Sequence, residues 1–277
     1  MTPARTFSFE FFPPNTPEGR DKLRATTEQL AQLHPKFFSV TYGAGGSTRD
    51  RTLETVLDIQ KSGYEAAPHV SCIASTHASI RETLKGYQDN GIRHLVALRG
   101  DLPSGLATAG EFRYAHELVE FVRREFGQHF FIEVAAYPEY HPQARNALED
   151  LRNFKRKVDA GADSAITQYF YNADCYFHFV DECAAMGVDI PVVPGIMPIN
   201  RFSQLARFSD ACGAEIPRWI RNKLEAYGDD LDSVRAFGLD VVTSLCDRLL
   251  QGGAPGLHFY TLNQAGATTT IWQRLGL

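Results

Sequence analysis

NALEDLRNFKRKVDAGADSAITQYF, residues 146–170, contains one whole structural repeat. The spacing of its apolar residues predicts a helix over 146–160, and Gly161 closes it. SAITQYF (164–170) then reads as a strand that ends on polar and aromatic residues. The same unit recurs along the chain. Further strand-like runs are FSFEFF (7–12), FFSVTYG (37–43), AAPHVSC (66–72), HLVALRG (94–100), FIEVAAYP (131–138), IPVVPGI (190–196) and LHFYTLN (257–263). Between them lie amphipathic helical patterns such as Leu23/Leu30/Leu33, Leu53/Val56/Leu57 and Leu118/Phe121/Val122. Later helices are predicted over 173–186, 201–211 and 232–250, with a short one over 217–226. Gly63, Gly91 and Gly187 end three more helices as Gly161 ends this one. Eight strands separated by helices match an α/β fold of the closed (β/α)8 type, a TIM barrel. A doubly wound sheet usually has five or six strands. No Pro-, Gly- or Ser-rich linker divides the chain, so a single domain over 1–277 is expected.

The composition is that of an ordinary globular protein, 44% hydrophobic and 22% charged, with a net charge of −5. A nucleic-acid partner would need a basic stripe interleaved with aromatics, and none is present. Lys155-Arg156-Lys157 is either a solvated helix face or part of a local phosphate site. No apolar run approaches the ~20 residues that span a bilayer. Strand-like sequence begins almost at once and leaves no room for a signal peptide. Cys72, Cys175, Cys183, Cys212 and Cys246 are odd in number and form no CxxC, so reduced thiols in a cytoplasmic protein are expected.

Parallel strands covered by helices should be almost wholly apolar. Here polar groups collect toward the C-terminal part of strand after strand: Glu10, Thr41 and Tyr42, His69, Arg99 and Asp101, Tyr137 with Glu139 and His141, Gln168, and Tyr260 with Asn263. A barrel brings those ends to one mouth, as in a barrel enzyme. Glu10 lies between Phe9 and Phe11, and burial among rings disfavours a charged carboxylate, which suits a general acid. The alternative is a strand glutamate that caps a loop or pairs with an arginine. Asp101 is placed to stabilise a cation developing in a substrate, or else to cap 102–106 or pair with Arg99. His69 and His141 could be taken for metal ligands, but Pro68 and Pro142 flank them and no HxxxH-like pair exists. Hydrogen bonding to a phosphate, a cofactor ring or a backbone carbonyl suits them better, and no metal is expected. YGAGGST (42–48) follows a strand but is not GxGxxG, so it reads as a βα loop whose glycines permit close approach to a ligand. Arg99 and Lys157 are the basic residues best placed for a diphosphate, and Asp150 could accept from a ribose hydroxyl.

SFEFFPP (8–14), VTYGAGG (40–46), AAPHVSC (66–72), ALRGD (97–101), AAYPEYHP (135–142), NFKRKVDAGADSAITQYFY (153–171), VPGIMPI (193–199) and HFYTLN (258–263) together resemble the bacterial methylenetetrahydrofolate reductases, in family order and nearly one string per strand. The resemblance implies a barrel that uses FAD and NADH or NADPH to reduce 5,10-methylenetetrahydrofolate to 5-methyltetrahydrofolate, built as a dimer or tetramer of the barrel-only type. It implies that Glu10 is the acid that protonates the folate during ring opening. Asp101 is implied as the aspartate beside the flavin. Thr41, His69, Leu98, Arg99, Gly100, Ala135, Tyr137, His141, Asp150 and Lys157 are implied to line the FAD. Gln168 is similar to the glutamine that binds the pterin, and Phe208 to the aromatic that stacks on folate and nicotinamide in turn. Tyr260 and Leu262 are similar to residues bordering that pocket. One position departs: Gln264 stands where the bacterial relatives carry an arginine that contacts the substrates, which removes a permanent charge. A different flavin-dependent barrel enzyme and a non-catalytic binding barrel are the competing readings.

Overall fold

The computed structural model describes residues 5–42, 49–101 and 110–277. The glycine-rich stretch 43–48 and the segment 102–109, which includes the stretch 102–106 that Asp101 could alternatively cap, lie outside them. The first strand, β1 (Thr6–Phe11), sets the logic of the whole barrel. Successive side chains of a strand point to opposite faces. Phe9 and Phe11 are fully buried on the helix-facing side, where Phe9 meets Phe38, Phe259 and Trp272, and Phe11 stacks on Phe38 at 5.3 Å. Each such ring contributes about 1.5–3 kcal/mol by burial. Ser8 and Glu10 point the other way, toward the barrel axis.

Around β1 run β2 (Phe37–Val40), β3 (Ala66–Ser71), β4 (His94–Leu98), β5 (Phe131–Ala136), β6 (Ser164–Thr167), β7 (Val192–Val193), β8 (Gly195–Ile196) and β9 (Gly256–Tyr260), all parallel, in the order β7-β6-β5-β4-β3-β2-β1-β9-β8. β7 and β8 are two pieces of one predicted strand, 190–196. Pro194 has no N–H to give the ladder, so the strand is interrupted there. Its carbonyl still accepts from His258 N at 3.0 Å. β7 pairs with β6 and β8 with β9, so the chain itself joins the two ends of the sheet and closes the barrel. The expected (β/α)8 architecture is present.

Several strands stop earlier than the sequence suggested. Thr41, Tyr42, Arg99, Tyr137, Gln168 and Leu262 therefore sit in the loops just past strand ends rather than in the strands. The surrounding helices are α1 (Pro17–Ala31), α2 (Arg49–Lys61), α3 (His77–Asp89), α4 (Ala115–Phe126), α5 (Ala147–Asp159), α6 (Ala173–Ala185), α7 (Phe202–Cys212), α8 (Arg218–Tyr227), α9 (Leu231–Gln251) and α10 (Gly266–Arg274). The deciding repeat forms as its sequence dictates. Asn146 Oδ1 accepts from Glu149 N at 2.9 Å to cap α5, and Gly161, at φ 110°, turns the chain out toward β6. All five cysteines are free thiols. Among the described residues no helix is long and apolar enough to cross a membrane.

Candidate active site

Two adjoining cavities open at the C-terminal end of the strands, one of about 510 Å³ and one of about 260 Å³. Leu98, Asp101, Ala135, Tyr137, His141 and Gln143 form a wall common to both. The larger cavity is lined by Glu10, Thr41, His69, Gln168, Phe208, Tyr260 and Leu262, and the smaller by Arg99, Gly100, Asp150 and Lys157. Every predicted site residue except Gln264 therefore borders one or the other. Gln264 is exposed, its backbone N–H donating to Thr261 O at 3.0 Å.

Glu10 is held from three sides. Its backbone pairs in register with Ser39 on β2 and Tyr260 on β9, and its carbonyl accepts from Thr261 Oγ1 at 2.6 Å. The side chain is 12% exposed; Oε2 lies 3.4 Å from His69 Nε2 and 3.7 Å from His258 Nε2. On its far side His258 meets Ser8 Oγ through Nδ1 at 2.7 Å. The flanking Phe9 and Phe11 do not surround this carboxylate, because they occupy the opposite face of β1. Two histidines and the Tyr260 ring make its environment instead, and among the described residues no arginine pairs with it. Burial holds His69 below the usual histidine range, partly offset by Glu10, so the ring is a neutral neighbour of the carboxyl group. Burial also pushes the Tyr260 hydroxyl well up, keeping it a donor, and it donates to Thr167 O at 2.8 Å. That contact lays the Tyr260 ring over Gly195, where a Cβ would come within 2.1 Å of Thr167 O and 2.7 Å of the ring. Only glycine fits there.

Below this layer the barrel axis is filled by a buried His94–Glu133 pair, Nε2 to Oε1 at 3.3 Å, under the Phe37 ring. Glu139 and Asn263, two of the polar strand-end residues, act structurally. Glu139 Oε2 accepts from Glu215 N at 2.8 Å, while Asn263 bonds both N and O of Phe12.

The smaller cavity gathers two cations, Arg99 and Lys157, and two carboxylates, Asp101 and Asp150. Lys157 Nζ donates to the Ala135 carbonyl, and burial lowers its pKa from 10.5 to about 8, with Asp150 opposing the shift. Arg99 donates to the neutral Gln143 Oε1 at 2.6 Å. Among the described residues, neither cation has a carboxylate within 4 Å, the distance of an ion pair. Asp150 is engaged elsewhere, accepting from His141 N at 2.9 Å. Two cations facing one cleft, neither in an ion pair among the described residues, are a donor set for a diphosphate. Beside them the shared wall and the barrel floor offer Val96, Leu98, Ala135 and Ile166, an apolar bed for a planar ring. The residues present thus fit FAD.

Comparison with known proteins identifies the family. The family model described as Methylenetetrahydrofolate reductase matches residues 2–276. The 5,10-methylenetetrahydrofolate reductase of Escherichia coli (strain K12) is 42% identical over 271 residues, covering 98% of this chain and 90% of that protein. The chain belongs to the methylenetetrahydrofolate reductase family. It is accordingly an oxidoreductase that reduces 5,10-methylenetetrahydrofolate. A probable methylenetetrahydrofolate reductase (NADH) of Oryza sativa subsp. japonica is 40% identical over 285 residues, and there the match covers 98% of this chain but 48% of the relative. Among solved structures, an uncharacterized protein from Clostridium thermocellum that binds two copies of 5-methyl-5,6,7,8-tetrahydrofolic acid superposes with a TM-score of 0.69 at 16% identity, covering 98% of this chain and 94% of that one. A dihydropteroate synthase from Xanthomonas albilineans gives 0.53 at 12% identity, with coverage of 100% and 94%. At these identities the likeness is one of fold.

Sequence reasoning missed several residues that support or line the site. Ser8 and His258 stand two positions before Glu10 and Tyr260 on the same faces of β1 and β9, so the period-two pattern would have found them. Tyr114, His116, Gln143 and Asn153 border the smaller cavity and carry no such signal.

Proposed function

We propose that the two cavities together hold FAD and, against it, NADH or NADPH and the folate in turn. Arg99 and Lys157 hold the diphosphate, Asp150 faces the ribose side, and Thr41, His69, Leu98, Gly100, Ala135, Tyr137 and His141 border the cofactor. When bound, FAD supplies two-electron hydride transfer between nicotinamide and folate. The chain's own groups do the rest. The five-membered ring of methylenetetrahydrofolate must open before its one-carbon unit can accept hydride, and opening requires a proton on N10. Glu10 gives that proton. The hydrogen bond between Ser8 Oγ and His258 Nδ1 orients that ring so that Nε2 faces Glu10 Oε2, beside the carboxylate that remains. Opening leaves a positive iminium carbon on the substrate, and Asp101 stabilises it electrostatically. Gln168 bonds the pterin. Phe208 offers a ring face that accepts either heterocycle, and Tyr260 and Leu262 close the border. A cytoplasmic location and a dimeric or tetrameric assembly belong to the same reading.

The observation that carries it is the convergence of Glu10, from β1, and Asp101, from beyond β4, on one 510 Å³ cavity adjoined by a second that holds Arg99 and Lys157. Glu10→Gln tests it. The variant should stay yellow and oxidise NADH with an artificial acceptor at near the native rate, while reduction of methylenetetrahydrofolate falls by about 10²–10⁴. Equal loss in both half-reactions, followed by anaerobic stopped-flow absorbance, would remove the acid role from Glu10.

A further inference from the structure

The helix that carries Phe208 joins apolar packing to a buried polar contact. Of the eleven residues of α7, Leu205 and Ser209 are buried, and Phe202, Ala206, Phe208 and Cys212 pack half-buried against the core. Its N-cap, Arg201, makes no side-chain cap hydrogen bond. Directional contacts come from polar groups. Tyr169 OH and Ser209 Oγ share a buried hydrogen bond of 3.0 Å, and the Cys212 thiol, three residues further on the same face, is a second neighbour of that hydroxyl. Beyond the helix end, Glu139 Oε2 takes the Glu215 N–H. Phe208, next to Ser209, lines the larger cavity, and the Arg207 guanidinium lies over its ring at 5.3 Å.

Apolar packing is non-directional and tolerates small rotations of a helix, whereas a hydrogen bond does not, and neighbouring residues are 100° apart around the axis. A fixed point at Ser209 therefore sets the direction in which Phe208 projects. We propose that Tyr169 is a positioning residue: through Ser209 it fixes the rotation of α7, and so how far the Phe208 ring stands into the space that nicotinamide and pterin share. This rests on the reading of Phe208 given above. A pocket that takes two different heterocycles in turn needs its stacking ring at a defined depth, and Tyr169 supplies the reference from the loop just past β6, where it also borders the larger cavity.

Tyr169→Phe keeps the ring packing and removes only the hydroxyl, and Ser209 Oγ can then turn to the Leu205 carbonyl one turn back. The amides of 205–212 should exchange with solvent about 5–10-fold faster in the FAD-loaded protein, because the helix opens more often. KM for NADH and for methylenetetrahydrofolate should each rise about 3–10-fold, more than kcat falls, as expected when ground-state stacking is loosened. Ser209→Ala should do the same, and the double variant should do no more. Phe208→Ala separates this proposal from the one beneath it. If Phe208→Ala raises both KM values and Tyr169→Phe adds nothing in that background, the tether acts through Phe208. Unchanged exchange and unchanged KM in Tyr169→Phe, beside an effect of Phe208→Ala, would overturn the tether alone. A full Tyr169→Phe effect persisting in the Phe208→Ala background would mean that Tyr169 meets the substrates directly, and would overturn it too. Phe208→Ala with native KM values would instead bring down the reading of Phe208, and the tether's purpose with it.

Discussion

Replacing Lys157 by methionine should make the flavin-free protein more stable and its flavin weaker bound. Lys157 is partly buried, with its Nζ on a backbone carbonyl and its pKa depressed from 10.5 to about 8. A shift of that size corresponds to about 3 kcal/mol of unfavourable burial of the ammonium, and screening by the solvent that reaches a partly buried side chain lowers it to about 2 kcal/mol. The hydrogen bond to Ala135 O that methionine gives up offsets about 1 kcal/mol more. A net gain of about 1 kcal/mol remains, or about 2 °C in Tm for a chain of this length. The sign with pH follows from linkage. Between pH 8 and 10.5 the unfolded lysine holds more proton than the folded one, so the native protein gains stability as pH rises through that window. The penalty is complete below pH 8, and the advantage of Lys157→Met should shrink steadily above it. Urea unfolding of both flavin-free proteins from pH 7 to 9.5 reads this directly. FAD titration should show about 10–100-fold weaker binding, from the loss of one charge-assisted bond. A variant less stable than the native protein at pH 7, with a difference independent of pH, would refute the reasoning.

Asp101→Asn should slow folate reduction at least tenfold more than NADH-driven flavin reduction, since only the folate half builds a cation; separate half-reaction traces check the ordering. Gln264→Arg should tighten one of the two substrates, its longer cation reaching toward the cavity from an exposed position, and steady-state KM values for both will show which. Gly195→Ala should cost more than 3 kcal/mol or abolish soluble expression, because its Cβ would press on the Thr167 carbonyl and the Tyr260 ring; denaturant unfolding or expression yield decides it.

The repeat at 146–170 made the barrel legible because helix and strand periodicities differ, and Gly161 marks where one gives way to the other. The split at Pro194 was readable in principle, since a missing N–H must interrupt a ladder. Strand lengths were overstated where aromatic and β-branched residues continue into the loops, as at Tyr137 and Tyr169. The polar residues converging on one mouth were visible once eight units were assumed to close. The surroundings of Glu10 were not, because residues adjacent in sequence lie on opposite sides of a strand. Its true neighbours, His69 and His258, come from β3 and β9. Tyr114 and His116 reach the smaller cavity from the start of α4, where nothing in the local pattern marks a ligand-facing turn.

The two-sidedness of β1 has an outcome for how this segment can change. Along Ser8, Phe9, Glu10 and Phe11, intolerance to substitution should alternate in kind: at Phe9 and Phe11 the damaged molecules fail to accumulate, whereas at Ser8 and Glu10 they accumulate and stay idle. A saturation library read once for abundance and once for reduction of methylenetetrahydrofolate would show the two signals interleaved, one residue out of phase. Turnover can then be retuned on one side of a single strand while the other side keeps the barrel standing.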